Sequence, residues 1–265
     1  MLKTTWTKYN MKMDIINLIA KASQHIIMCR PSDMEPQGFG SGCIIQYKGR
    51  RFLLSVAHVT DVDGLATCIE TGLPATDLQT PLYSVGSMCY FDTYTVPQNI
   101  KELEIKKFED LDINFDETLD ITFCELKEEF PILQPEWDFG AYKIDRGPKV
   151  YLNFDDAGLP DRDKLHGLCG RVRHDFQGIR MISKPTLKLD LEFVGTYGRF
   201  HLFKTPEEIS DADDYRGCSG APILDETGKL VGLAQSVIEG SNSIFAFSID
   251  ECKKLLDLAI ETELV

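Results

Sequence analysis

The sequence predicts an all-β architecture, a barrel or sandwich with one helix at each end of the chain. Three observations carry that reading. Short apolar runs recur along most of the chain, each bounded by Gly, Pro or polar turn residues. Almost no helical periodicity interrupts them in mid-chain. Helical spacing of apolar residues occurs near the N-terminus and again after Ser248.

Taken in order, Ile15, Ile16, Leu18, Ile19 and Ala22 recur at helical spacing, with Asp14, Asn17 and Lys21 between them. Lys3, Lys8 and Lys12 precede this segment, but no continuous apolar region follows, so it reads as a helix docked on the body rather than a signal peptide. No run approaches the length of a membrane span. His25 to Met28 reads as a short strand closed by Pro31. From Gln37, the glycines at 38, 40 and 42 predict a tight turn feeding a buried strand that ends at Tyr47. Lys48-Gly49-Arg50 is a hairpin tip, and Arg51 to Ala57 returns as the second strand.

Residues 61–118 are the least regular part, with a strand expected from Val85 to Phe91 and an acidic, lysine-dotted surface insertion from Lys101 to Glu117. An alternating strand follows from Leu119 to Leu126, and Pro131, Pro135 and Trp137 mark an irregular connection. A second set of short strands is expected at 147–154, 178–182, 187–194, 200–203, 222–224, 230–236 and 243–247. The closing helix opens on a capping box, Ser248 with Glu251, and Asp250 adds favourable charge to its first turn. Leu255, Leu256, Leu258 and Ala259 give it a packing face. The expected organisation is an N-terminal helix and strand at 1–36, a first β unit at 37–140, a second at 141–247, and a C-terminal helix at 248–265.

With 265 residues the chain can bury a substantial core, and 43% apolar with 26% charged residues is ordinary globular composition. A net charge of −14 argues against nucleic acid and against anionic membranes as partners, and favours basic peptide segments. The eight cysteines include no C-x-x-C pair and no export signal accompanies them, which predicts free buried thiols in a reducing cytoplasm. His166, Cys169 and His174 form a three-ligand metal pattern that lacks a fourth member, and no metal or organic cofactor is expected.

Three residues suggest chemistry. His58 ends a strongly apolar strand, where solubility gives no reason for an imidazole. Asp120 opens an alternating strand, a setting that disfavours Asp, whereas its neighbours Asp112 and Asp116 sit in the polar segment before it. Ser219 lies in Tyr215-Arg216-Gly217-Cys218-Ser219-Gly220-Ala221-Pro222, a glycine-flanked turn that feeds a buried strand. A serine hydroxyl barely ionises at neutral pH and needs an imidazole to accept its proton; the imidazole needs a carboxylate to fix its tautomer. Gly217 permits backbone angles that let its N–H and that of Ser219 point the same way, as an oxyanion hole requires.

In this His, Asp, Ser order the chain resembles the trypsin-like (chymotrypsin-fold) serine peptidases, above all their bacterial HtrA/Deg branch. The resemblance rests on Gly40-Ser41-Gly42 before Ile44-Ile45, on Phe52-Leu53-Leu54-Ser55-Val56-Ala57-His58-Val59, on Leu119-Asp120-Ile121-Thr122-Phe123, on Gly217-Cys218-Ser219-Gly220-Ala221-Pro222 with Gly228 to Gly232, and on Ile244 to Ile249. It covers roughly residues 37–249 and implies two packed six-stranded antiparallel β-barrels with His58, Asp120 and Ser219 in the cleft between them. The implied activity is that of a cytoplasmic serine endopeptidase acting through an acyl-enzyme on a protein or peptide substrate. Alternatives are a latent protease awaiting an activating protein partner, for which 61–118 and the N-terminal helix are docking surfaces, and a catalytically silent peptide-binding module. No room for a PDZ domain is expected after Val265.

Departures from the pattern bear on what carries over. Val59 follows His58 where secreted trypsins have a cysteine, and Cys218 replaces the aspartate that pairs with a cut N-terminus, so Cys218 reads as a packing residue. By the same resemblance Asp213, six residues before Ser219, stands where trypsins place the acid selecting Arg or Lys, amid Glu207, Glu208, Asp211 and Asp214. Gln235 and Val237 fall on the substrate-binding strand, and Val237 replaces a pocket-mouth glycine, which favours small residues. The two features point to opposite specificities.

Overall fold

In the computed structural model of the chain, residues 11–75, 81–92, 118–177 and 180–265 are described. The expected insertion from Lys101 to Glu117, with Asp112 and Asp116, lies outside them, as do Lys3 and Lys8. A helix α1 (Met13–Ala22) buries Ile16, Ile19, Ala20 and Ala22, the face its apolar spacing predicted. It runs straight into β1 (Ser23–Cys29), which is buried at every position.

The first sheet builds outward from there. Strand β2 (Pro36–Tyr47) pairs antiparallel with β1 and with β3 (Arg50–Ser55). The β2–β3 hairpin turns through Lys48 at φ 49° and Gly49 at φ 74°, the two left-handed residues of a tight two-residue loop. After β3 a single helical turn, α2 (Ala57–Thr60), carries His58. Then come β4 (Ala66–Glu70), β5 (Leu82–Ser84), β6 (Cys89–Asp92) and β7 (Thr118–Glu125), and the sheet order is β5-β4-β1-β2-β3-β7-β6.

The connection at 133–148 contains four two-residue strands, β8 (Leu133–Gln134), β9 (Trp137–Asp138), β10 (Lys143–Ile144) and β11 (Gly147–Pro148), paired β8 with β11 and β9 with β10. Strand β12 (Leu152–Asn153) then adds to the first sheet, parallel to β2.

The second half closes fully: β13 (Leu165–Gln177), β14 (Arg180–Tyr197), β15 (Phe200–Lys204), β16 (Pro222–Asp225), β17 (Leu230–Ile238) and β18 (Ser243–Ser248) form a barrel in the order β13-β14-β15-β18-β17-β16. Helix α3 (Ile249–Glu261) buries Ile249, Cys252, Leu255, Leu256 and Ala259. The all-β expectation holds, with one closed six-stranded barrel and one eight-stranded curved sheet. No helix among the described residues is long and apolar enough to cross a membrane.

Four local expectations need correction. The glycines at 38, 40 and 42 lie inside β2, not in a turn. They are there for space: a Cβ on Gly40 would stand 2.4 Å from Val59 Cγ1, and one on Gly42 would stand 2.5 Å from the Leu54 carbonyl oxygen. The strand expected at 85–91 begins only at Cys89, as β6, which pairs with β7 on one edge of the sheet, whereas β5, which pairs with β4 on the other edge, ends at Ser84. The strands expected at 178–182 and 187–194 are one long strand, β14, whose partner β13 the sequence did not announce. Finally, Ser248 makes no side-chain cap to α3: it is still the last residue of β18, with its N–H donated to Arg199 O at 2.8 Å. Glu251 is drawn to Lys254 and Arg199 instead.

Candidate active site

Strand pairing brings His58 and Asp120 together. β7 runs antiparallel to β3 with Ser55 opposite Thr122, so Asp120, two residues earlier on β7, reaches the end of β3 where α2 begins. There it grips His58 twice. The Asp120 carboxylate accepts from the His58 backbone N–H at 3.0 Å and lies 2.9 Å from the ring Nδ1 through each oxygen. That geometry puts the ring proton on Nδ1 and leaves Nε2 as the proton acceptor. Burial alone would raise the Asp120 pKa, but hydrogen bonds from His58 and from the Gln235 side chain, with the His58 charge, hold it below the usual carboxylate value. Gln235 thus joins Asp120 through its side chain and Ser219 through its carbonyl.

The second barrel supplies the serine turn. Cys218 N–H donates to Tyr215 O at 2.8 Å, closing a β-turn whose third residue, Gly217, has φ 112°. Only glycine adopts that angle without strain, and a Cβ there would lie 2.2 Å from Arg171 O and 2.9 Å from His174 Cε1. Gly220, at φ 85°, approaches Ser41 so closely that a Cβ would stand 2.0 Å from the Ser41 carbonyl oxygen.

The two halves are stitched together at this point. Ser41 N–H donates to Ser219 O at 2.8 Å, Ser41 Oγ donates to Gly217 O at 2.7 Å, and Ser55 Oγ donates to Ser41 O at 2.8 Å. Among the described residues, neither Gly217 N–H nor Ser219 N–H donates to any protein acceptor. Two unpaired amides flanking Cys218 are the donors an oxyanion would use. Ser219 Oγ donates to Gln235 O at 3.3 Å, and no hydrogen bond joins it to His58. Cys218 is buried and its thiol is pushed up to about 12 by burial, which leaves it an inert packing group.

A cavity of about 100 Å³ opens beside Ser219, lined by Leu168, Cys218, Ala234, Val237 and Ile244, with the polar Gln235, Ser236 and Arg216 also on its wall. Asp213 is not part of it: the Asp213 side chain is 61% exposed and faces Arg216 at 3.8 Å, while Asp211 and Asp214 both engage Arg173. Spacing from Ser219 fixed the loop but not the direction of the side chain. His166, Cys169 and His174 also part company. His166 is buried beside Leu191 O at 3.2 Å, whereas His174 reaches across to His25 at 2.9 Å.

This fold is that of the trypsin-like serine proteases. The chain is similar over 96% of its length to 68% of a serine endoprotease from Yersinia pestis, with a TM-score of 0.51 and 14% identity. It also aligns over 89% of its length with 96% of the apo MamO protease domain from Magnetospirillum magneticum, at a TM-score of 0.45 and 12% identity. No family model matches the sequence. No curated protein matches it either.

Proposed function

We propose that the chain is a serine endopeptidase in which Ser219 attacks the scissile carbonyl, His58 Nε2 takes its proton, Asp120 orients His58, and the N–H groups of Gly217 and Ser219 receive the oxyanion. The observation that carries this reading is the double grip of Asp120 on His58, with Gln235 touching both Asp120, through its side chain, and Ser219 Oγ, through its carbonyl, beside a serine turn with two unpaired amides. A structural histidine has no need of a carboxylate on its ring and on its backbone at once.

The substrate would bind as an added strand. Among the described residues, β17 from Gln235 to Ile238 has a strand partner only in β18, because its pairing with β16 ends at Leu233. An extended peptide laid on that free side sets its P1 side chain in the cavity beside Ser219. An apolar cavity of roughly 150 Å³ accepts benzene, so 100 Å³ without a buried charge suits an aliphatic side chain. A basic P1 residue would find no buried carboxylate and would meet Arg216. The preference for Arg or Lys is therefore not carried forward.

A resting form is favoured by one contact. Ser219 Oγ donates a hydrogen bond to Gln235 O, which is also the carbonyl that an added strand would engage. A substrate N–H competing for that oxygen frees the hydroxyl to turn to His58. Labelling by a fluorophosphonate tests the assignment, because the probe needs an activated serine and an oxyanion hole but no known substrate. Labelling of the wild type that disappears in Ser219→Ala is expected; equal labelling of the two proteins would sink the assignment.

A further inference from the structure

Behind the serine turn lies a second cluster of titratable side chains that the triad does not use. His25, from β1, and His174, from β13, meet across the boundary between the two halves with their Nε2 atoms 2.9 Å apart. His25 is 7% exposed, and its Nδ1 stands 2.7 Å from Glu70 Oε2, on β4. Glu70 is in turn ion-paired with Arg171. Burial works against the Glu70 charge, yet His25, Arg171 and Lys149 hold its pKa down at about 2, so the carboxylate is an acceptor only. Arg171 Nη1 lies 3.1 Å from the same His25 Nδ1, and the two facing Nε2 atoms share one hydrogen bond, one ring donating and the other accepting. His174 is uncharged, with its pKa lowered to about 3 by burial and then by the repulsion that a proton on it would meet from His25, were that ring charged, and from Arg171.

The position of the His174 ring gives this relay a purpose. It stacks on Phe39 of β2 with centroids 3.5 Å apart, and its Cε1 would lie 2.9 Å from a Cβ on Gly217. The ring is therefore pressed between the first sheet and the face of Gly217, while Ser41 Oγ holds the Gly217 carbonyl from the other side. A peptide plane in a four-residue turn flips readily between type I and type II, and only the latter needs a positive φ at the third residue. Which way the Arg216–Gly217 amide points is what decides whether an oxyanion donor exists.

We propose that His174, held by His25, Glu70 and Phe39, is a positioning residue that fixes the Arg216–Gly217 peptide with its N–H toward the reacting carbonyl. The proposal rests on the peptidase reading for its consequence, but not for its test. Arg146-Gly147 and Arg216-Gly217 are the two Arg-Gly steps in the sequence. Protein carrying carbonyl-¹³C arginine and ¹⁵N glycine therefore gives two amide signals in a carbonyl-filtered spectrum, and Gly147→Ala assigns them.

In His174→Ala the Gly217 signal is expected to shift or split while the Gly147 signal stays in place and reports an intact fold. In His174→Gln, which keeps a hydrogen-bonding group toward His25, it returns toward the wild-type position. Turnover should follow: kcat lower by about 10- to 100-fold in His174→Ala with KM within about twofold, and largely recovered in His174→Gln. Should the alanine variant fail to fold, Phe39→Leu, which removes the stacking surface from the opposite sheet, must displace the Gly217 signal in its place. A Gly217 signal unmoved in a folded His174→Ala or Phe39→Leu protein overturns the proposal. A wild type inert to fluorophosphonate with a Gly217 signal that does respond would overturn the peptidase reading and leave the positioning intact.

Discussion

Replacing Gly217 by alanine separates the cost of folding from the cost of chemistry at one atom. The added Cβ must be accommodated at φ 112°, 2.2 Å from Arg171 O and 2.9 Å from His174 Cε1. Holding a non-glycine residue in such a region costs on the order of 1–3 kcal/mol. The carbonyl contact is with backbone, so the turn itself must move. For a chain of this size each kcal/mol lowers Tm by roughly 2–4 °C. Displacing one oxyanion donor costs about 10²–10³ in kcat. Gly240→Ala is the matched control: its φ is 74°, and nothing lies within 4 Å of its Cβ position. Thermal melts and peptide turnover at 25 °C, with the three proteins compared below their melting points, give both quantities. Gly240→Ala should lose about 1 kcal/mol of stability and no activity, whereas Gly217→Ala should lose activity far beyond its loss of stability. Turnover by Gly217→Ala within about threefold of wild type would refute the use of its N–H as an oxyanion donor.

Two further outcomes follow from the same geometry. Val237→Gly opens the cavity beside Ser219 and should raise kcat/KM for aromatic over aliphatic P1 residues by about 10-fold or more, the scale set by a few buried methylenes; an unchanged ratio across a P1 peptide series would show that this cavity does not receive the P1 side chain. Acid should destabilise the fold early. Burial, with the lesser effects of neighbouring charges, lowers the pKa of His174 to about 3 and of His201 to about 4 from 6.5, and lowers those of His25 and His166 as well. Below pH 6.5 the unfolded chain binds protons that the folded one does not, so stability falls with pH from there down to about 3, at up to about 1.4 kcal/mol per unit for each histidine. The Glu70 carboxylate, held at about 2, adds loss in the same direction below 4.5. A urea midpoint that stays flat between pH 7 and pH 4 would contradict the buried neutral histidines.

The strands were legible where one face or both are buried, because burial imposes a run of apolar residues that a reader sees without coordinates. β2, β3 and β7 have that form. β13 did not announce itself: Leu165–Gln177 contains two glycines, two arginines and two histidines, since one side of it packs against the first sheet and the serine turn rather than into its own barrel. The glycines of β2 misled for a related reason. In sequence a glycine reads as turn chemistry, but at 40 and 42 the constraint is a neighbouring side chain or carbonyl that only the packed structure supplies.

At the site, the legible residues are those whose neighbours in sequence are also their neighbours in function. His58 follows its strand, Asp120 opens its own, and Ser219 has two unpaired amides in the same turn, so each could be found from a few adjacent letters. What surrounds them was not found that way. Asp213 sits at the right distance along the chain from Ser219, yet a 3₁₀ turn at Ala212–Asp214, set by the Asp211 carboxylate accepting from Asp213 N–H at 2.9 Å, points its side chain to solvent. Conversely, His25 and His174 are 149 residues apart, on strands of different halves, and no local pattern links them. The available signal was their burial, a histidine within an otherwise apolar strand and another in a three-ligand metal spacing. A metal would have been one way to engage His174; the structure instead pairs its Nε2 with a second imidazole, leaves its buried Nδ1 without a hydrogen-bond partner among the described residues, and by that pairing ties the strand beside the serine turn to the first sheet.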